Sequence, residues 1–243
     1  MIRKFKLKHY KLLDGTIDNW KILLRDITGY KDNFINRFFF LKKHSIKLTE
    51  LVKQVEQIEP TKIVLSELCR IKVPENIDDI SFIAMMELLA VFDNNDDDII
   101  MQMGDVVAIS CFSENNDDKF DLSNDSFKAF RKDVEDLPIV DIFGIFNRVV
   151  KQLEGSQKNW TRMFNSVNTI DDDYIMAGGD KLNKFNVLNT IKAMCSDFNI
   201  SYDDAWQLPY SLTQTNSLAK ATSSFVENEL SRIKEQKMRN NRN

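Results

Sequence analysis

Phe185, Leu188, Ile191, Cys195 and Phe198 recur at steps of three and four residues, the spacing that lines apolar groups along one helix face. The surrounding residues punctuate that run. Asp180 precedes it as a candidate N-cap, and Asn199 follows Phe198, where a residue tolerant of left-handed backbone angles closes a helix. Ser201 stands three residues before Asp204, a capping box with a shorter acid than usual, and predicts a brief helix through Tyr202, Ala205, Trp206 and Leu208. Pro209 ends it, because the ring disfavours helical geometry at Leu208. Ser211, Thr213 and Thr215 are candidate caps for a last helix whose apolar edge is Leu218, Thr222, Phe225 and Ile233, before a polar, basic tail from Lys234 to Asn243. The plain structural reading is a helical hairpin whose junction is plugged by Trp206 and Tyr210.

The rest of the chain follows the same plan. Seven Gly and four Pro in 243 residues are too few for an all-β fold with many tight turns. Thr16 can cap a helix holding Trp20 to Ile27, ended by Gly29, and a second carries Phe34, Phe38 and Leu41. Phe38, Phe39 and Phe40 give that second helix apolar groups on more than one side, so it is either fully buried or meets another chain. Residues 46–58 and 61–71 read as helices broken by Pro60. An apolar helix with Phe82, Met85, Met86, Leu89 and Phe92 can start at Asp78, Asp79 or Ser81. Further helices are expected over 99–112, 126–135 and 139–153, the last ended by Gly155 and followed by Trp160, Met163 and Phe164. Ile2, Phe5, Leu7 and Leu12 alternate loosely with basic residues, which suggests a short N-terminal edge strand or extended arm. The expected class is therefore mainly α, multi-helix domains of short amphipathic helices. Polar, acidic 113–125 is the expected boundary between regions 1–112 and 126–243.

Charge is unevenly placed. Residues 1–74 carry a net +8, residues 75–141 a net −14 and residues 142–243 a net +2, so the overall −4 hides a strong internal dipole. Such halves either neutralise each other within one chain or attract head to tail between copies, a contact that builds rings when the rotation closes. The basic N-terminus lacks a following apolar run, so no secretory leader is expected. The most apolar segment, Ile80 to Phe92, is interrupted by Glu87 and too short to span a bilayer, so no membrane partner is expected.

Chemistry is sparse. Cys69, Cys111 and Cys195 are widely separated with no CxxC, and read as reduced thiols. His9 and His44 lie in basic surroundings outside any recognisable nucleophile motif. The run Asp93 to Asp98 fails as an EF-hand loop: started at Asp93, positions six and twelve are Asp98 and Gly104 where Gly and Glu are needed. Gly178-Gly179-Asp180-Lys181 lacks the phosphate-loop pattern and has Leu182 where a hydroxyl belongs. No cofactor, metal site or catalytic residue is expected, and the chain is read as a non-enzyme. The arm Arg3 to Lys11, with Phe5 and Tyr10, and Lys42-Lys43 could instead contact phosphates, which keeps nucleic-acid binding as an alternative.

The stretch Phe-Asn-Ile-Ser-Tyr-Asp-Asp-Ala-Trp-Gln-Leu-Pro-Tyr-Ser, Phe198 to Ser211, resembles the C-terminal hairpin of tailed-bacteriophage tail-assembly and tail or neck proteins. There a helix ends at a turn followed by Ser-x-x-Asp/Glu-Ala, and a second helix closes near Leu-Pro-Tyr. The position often held by Gly is Asn199 here. The Asn, Ile and Lys-rich composition looks like that of crAss-like phages. The resemblance implies a virion ring, collar or tail protein joining portal and tail, present in the host cytoplasm during assembly, or else a tail-assembly chaperone absent from the finished particle. Lys4, Lys6, Lys8, Phe38, Phe39, Trp160, Trp206 and Tyr210 are the expected interface residues of a homo-oligomer.

Overall fold

The computed structural model describes residues 6–10, 69–93, 99–167 and 185–240. The helices expected between Thr16 and Ile71 lie outside them as far as Leu68, with Lys4, Phe38, Phe39 and His44, as does the acidic run after Asp93; residues 69–71, the expected end of the last of those helices, are not helical. Of the interpretable part, 79% is helical and no strand forms, so the mainly α expectation holds. The chain divides into two compact units, the first made of residues 1–75 and 86–151, the second of residues 76–85 and 152–243. The expected boundary at 113–125 is not where the division falls. That segment joins two helices of the first unit and carries buried Phe120, which ties the loop to both of them.

In the first unit, α1 (Leu7–Tyr10) is a single turn. The expected N-terminal strand is reduced, among the described residues, to one antiparallel bridge between Lys6 and Pro138, with the Leu7 amide donating to the Leu137 carbonyl at 3.2 Å. The chain then coils, and the Leu7 side chain is buried. Two helices that cross the unit boundary in sequence, α2 (Phe82–Asp93) and α5 (Ile139–Asn165), each give the unit one of their ends. Between them in the chain come α3 (Ile99–Asn115) and α4 (Asp125–Glu135). Helix α3 is buried on every side over Val106 to Phe112, which explains why its sequence shows no clean amphipathic period. Asn124 caps α4 by accepting from the Ser126 amide, and Phe127, Phe130 and Val134 form its inward edge. The Phe112 ring meets Phe120, Phe127 and Phe130 edge-on, with centroids 5.9, 5.5 and 5.8 Å away.

In the second unit, the C-terminal part of α5 is followed by α6 (Asn186–Phe198), α7 (Tyr202–Trp206) and α8 (Tyr210–Asn240). Asn199 takes the left-handed conformation, φ 51° and ψ 49°, and its amide bonds to the Cys195 carbonyl, as the sequence predicts. Ser201 caps α7 through the Asp204 amide at 3.1 Å. The helix α8 begins at Tyr210, ahead of the hydroxyl residues expected to cap it. Thr213, Thr215, Ser217 and Thr222 instead donate to the carbonyl four residues back, inside the helix. On α6 the buried residues are Ile191 and Met194, while Phe185, Leu188 and Phe198 of the predicted face are exposed.

Helix α5 runs through Gly155, where the sequence predicts a stop. A single glycine weakens a helix interior by about 1 kcal/mol, too little to end one whose next turn is anchored by buried Ser156 and by Trp160. A Cβ added at Gly155 would meet nothing within 4 Å, whereas one at Gly104 in α3 would lie 2.5 Å from Cδ2 of buried Leu7. Gly155→Ala is therefore expected to stabilise by about 0.5–1 kcal/mol. Gly104→Val, which displaces Leu7, is expected to destabilise by about 1–3 kcal/mol. Thermal melts of the two variants should move in opposite directions; movement in the same direction would refute the packing given for Leu7.

Candidate functional site

The first unit carries a cleft of about 710 Å³ whose lining includes Lys6, Arg70, Asn115, Asp133, Asp136 and Asp141. Its polar groups are largely used in holding the chain together. The Asn115 amide donates to the Lys72 and Cys111 carbonyls at 2.9 and 2.6 Å, and its oxygen accepts from the Lys72 amide at 3.0 Å. Lys8 and Lys6 reach Asp136 at 2.5 and 3.3 Å. The Cys111 thiol is fully buried, and burial pushes it up to about 12, so it is no nucleophile near neutral pH. No group of three or more metal-ligating side chains occurs among the described residues. No described helix is long and apolar enough to cross a membrane.

The Lys8 hydrogen bond is the main influence holding the Asp136 carboxyl below its ordinary range, with Lys6 adding to it. A carboxyl depressed on folding stabilises above its unfolded pKa, and that contribution is lost as pH falls through the folded value. Asp136→Asn is expected to lower stability at pH 7 by no more than about 1 kcal/mol, since both partners are well exposed. The deficit should vanish at a pH below the ordinary carboxylate range. Urea unfolding at the two pH values checks this, and an unchanged deficit in acid would exclude the charge pair as its cause.

Trp160, Trp206 and Tyr210 belong to the second unit, where their described contacts are internal. A 3₁₀ turn, Ile77–Asp79, is capped by the Asn76 side chain. Asp78 then accepts from the Ser156 hydroxyl and from the Trp160 indole, the latter at 3.2 Å. The next residues pair with the start of α8: Ser81 bridges Pro209, the Phe82 amide donates to the Leu208 carbonyl at 2.7 Å, and the Tyr210 amide donates to Ile80 at 2.9 Å. The Phe82 ring sits 5.6 Å from Trp206 and 6.1 Å from Tyr210. Trp206 and Tyr210 thus plug the hairpin junction, as the plain reading has it, but the plug closes on a segment more than a hundred residues earlier. No local pattern could reveal that pairing.

The remaining surface is distinctive for where its apolar groups lie. Every large apolar residue exposed in the described chain, apart from Phe92 and Leu122, falls between Phe185 and Met238. They are Phe185, Val187, Leu188 and Phe198 of α6 and its lead-in, Tyr202 of α7, and Leu212, Val226, Leu230, Ile233 and Met238 of α8. The candidate functional site is therefore a surface. The sequence places Phe185, Leu188 and Phe198 on one helix face with Ile191, of which only Ile191 is buried. No family of proteins, curated protein or solved structure matches this chain.

Proposed function

We propose that the chain is a non-enzymatic structural component of a tailed-phage particle: a ring, collar or tail protein joining portal and tail through oligomeric helical interfaces. The observation that carries this reading is the concentration of uncovered apolar side chains on the C-terminal helices, since surfaces of this kind mark protein contacts. The resemblance of Phe198 to Ser211 to phage tail and neck proteins supplies the class. Its turn-and-cap geometry at Asn199 and Ser201 is compatible with that likeness. On this reading the partners are further copies of the chain and neighbouring portal or tail proteins, and the chain resides in the virion after assembly in the host cytoplasm.

A tail-assembly chaperone is the second reading, because uncovered apolar helices suit a protein that shields others before release. Mass spectrometry of purified particles separates the two: presence at stoichiometric copy number supports the virion component, and absence supports the chaperone. Nucleic-acid binding is the weaker alternative, since Lys6 and Lys8 of the basic arm are both engaged with Asp136. Light scattering after size exclusion tests oligomerisation directly. A strict monomer at low and high salt, at tens of micromolar, would overturn the oligomeric part of the proposal.

A further inference from the structure

The helix α8 is 31 residues long, about 46 Å at about 1.5 Å per residue. Among the described residues, its polar ties to other elements lie near its beginning. Thr213 is buried, and Asn216 and Lys220 both reach the Asp197 carboxylate of α6 at 2.6 Å. From Leu230 to Asn240 every residue is exposed. On that free half Val226, Leu230, Ile233 and Lys237 follow one another at steps of four, three and four, the spacing of a coiled-coil seam. The first three are 48%, 51% and 43% exposed, where a helix packed in its own chain would cover them.

We propose that this seam pairs with the same seam of a second copy, antiparallel, about a two-fold axis passing between Ser231 and Arg232. The seam is self-complementary in that arrangement. Leu230 meets the partner's Ile233, Val226 meets the aliphatic stem of the partner's Lys237, and each contact occurs twice. Flanking charges agree, because Glu227 falls beside the partner's Lys234. A parallel pair would stack Lys237 on the partner's Lys237 and bring together the basic ends, Arg232, Lys234, Lys237 and Arg239. It would also align the two helix dipoles, which the antiparallel pair opposes favourably. The contact is isologous and uses part of the apolar C-terminal surface on which the proposed function rests, but it needs only two copies and stands whether or not a ring forms.

The test uses the full chain in sedimentation equilibrium at low and high salt, with circular dichroism of every variant. A dimer persisting at high salt is expected for the unaltered protein. Leu230→Asp and Ile233→Asp should each weaken it by at least about 30-fold. Because both positions are exposed in the single chain, helix content and melting temperature should match the parent's at a concentration low enough for every chain to be monomeric. Glu227→Lys should weaken the dimer, and adding Lys234→Glu to the same chain should restore it. For orientation, with Cys69 and Cys195 replaced by Ser, a Val226→Cys chain should cross-link to a Lys237→Cys chain, and neither should cross-link to itself. A monomer at about 100 µM in high salt, a dimer indifferent to Leu230→Asp, or cross-linking of Val226→Cys chains to each other would overturn the proposal. A dimer at both salts with no larger assembly at either would count against the ring and leave this contact supported.

Discussion

Phe112→Ala is expected to destabilise the first unit by about 3–5 kcal/mol, a large share of the roughly 5–15 kcal/mol that holds a domain folded. The ring is wholly buried and touches Phe120, Phe127 and Phe130, which come from α4 and the loop before it. Removing it leaves a cavity at the centre and deletes three edge-on aromatic contacts at once. Phe120 and Phe127 still face each other at 5.2 Å, so they can close only part of the space. Urea unfolding should show a lower midpoint with little change in slope. Phe112→Leu, which keeps most of the volume, should lose markedly less. Equal losses in the two variants would mean that the cluster does not organise this unit.

Asp78→Ala should destabilise the second unit by about 2–3 kcal/mol. The carboxylate accepts both the Ser156 hydroxyl and the Trp160 indole N–H, and hydrogen bonds to a charged group are worth more than neutral ones. Its loss also leaves buried Ser156 without that acceptor. Asp78→Asn retains one oxygen and should show a smaller deficit. Tryptophan fluorescence follows the transition, since Trp160 and Trp206 both lie in this unit. A second readout separates the electrostatic role from mere packing. The Tyr210 phenol is pushed up to about 12 by its burial and, less strongly, by the Asp78 charge, so it should titrate lower in Asp78→Ala. A Tyr210 titration unmoved by the substitution, together with unfolding within about 0.5 kcal/mol of the parent, would remove Asp78 from the centre of this unit.

These two residues differ in how far the sequence reveals them. Phe112 stands at the end of a run whose mixed β-branched and helix-forming residues predict a helix, but its importance depends on three rings brought from later in the chain. Asp78 reads locally as a helix-start residue. In the fold the start of α2 is served by Ser81, whose hydroxyl accepts from the Ala84 amide, while Asp78 reaches across to α5. Gly155 shows the opposite error. A local stop signal is overridden because the flanking turns have packing of their own, and a cost of about 1 kcal/mol cannot compete with that.

The sequence alone determined the helical class and the turn chemistry at Asn199, Ser201 and Pro209. Those features depend on backbone preferences and on hydrogen bonds spanning a few residues, so they are written where they act. Tertiary structure decided which face of each helix turns inward. The apolar stripe of α6 divides between buried Ile191 and Met194 and exposed Phe185, Leu188 and Phe198, because a helix buries whatever its neighbours reach and not whatever its period offers. The same cause sets the unit boundaries inside α2 and α5 and leaves the second half of α8 uncovered: burial is a property of pairs of segments, and pairs distant in sequence leave no local mark.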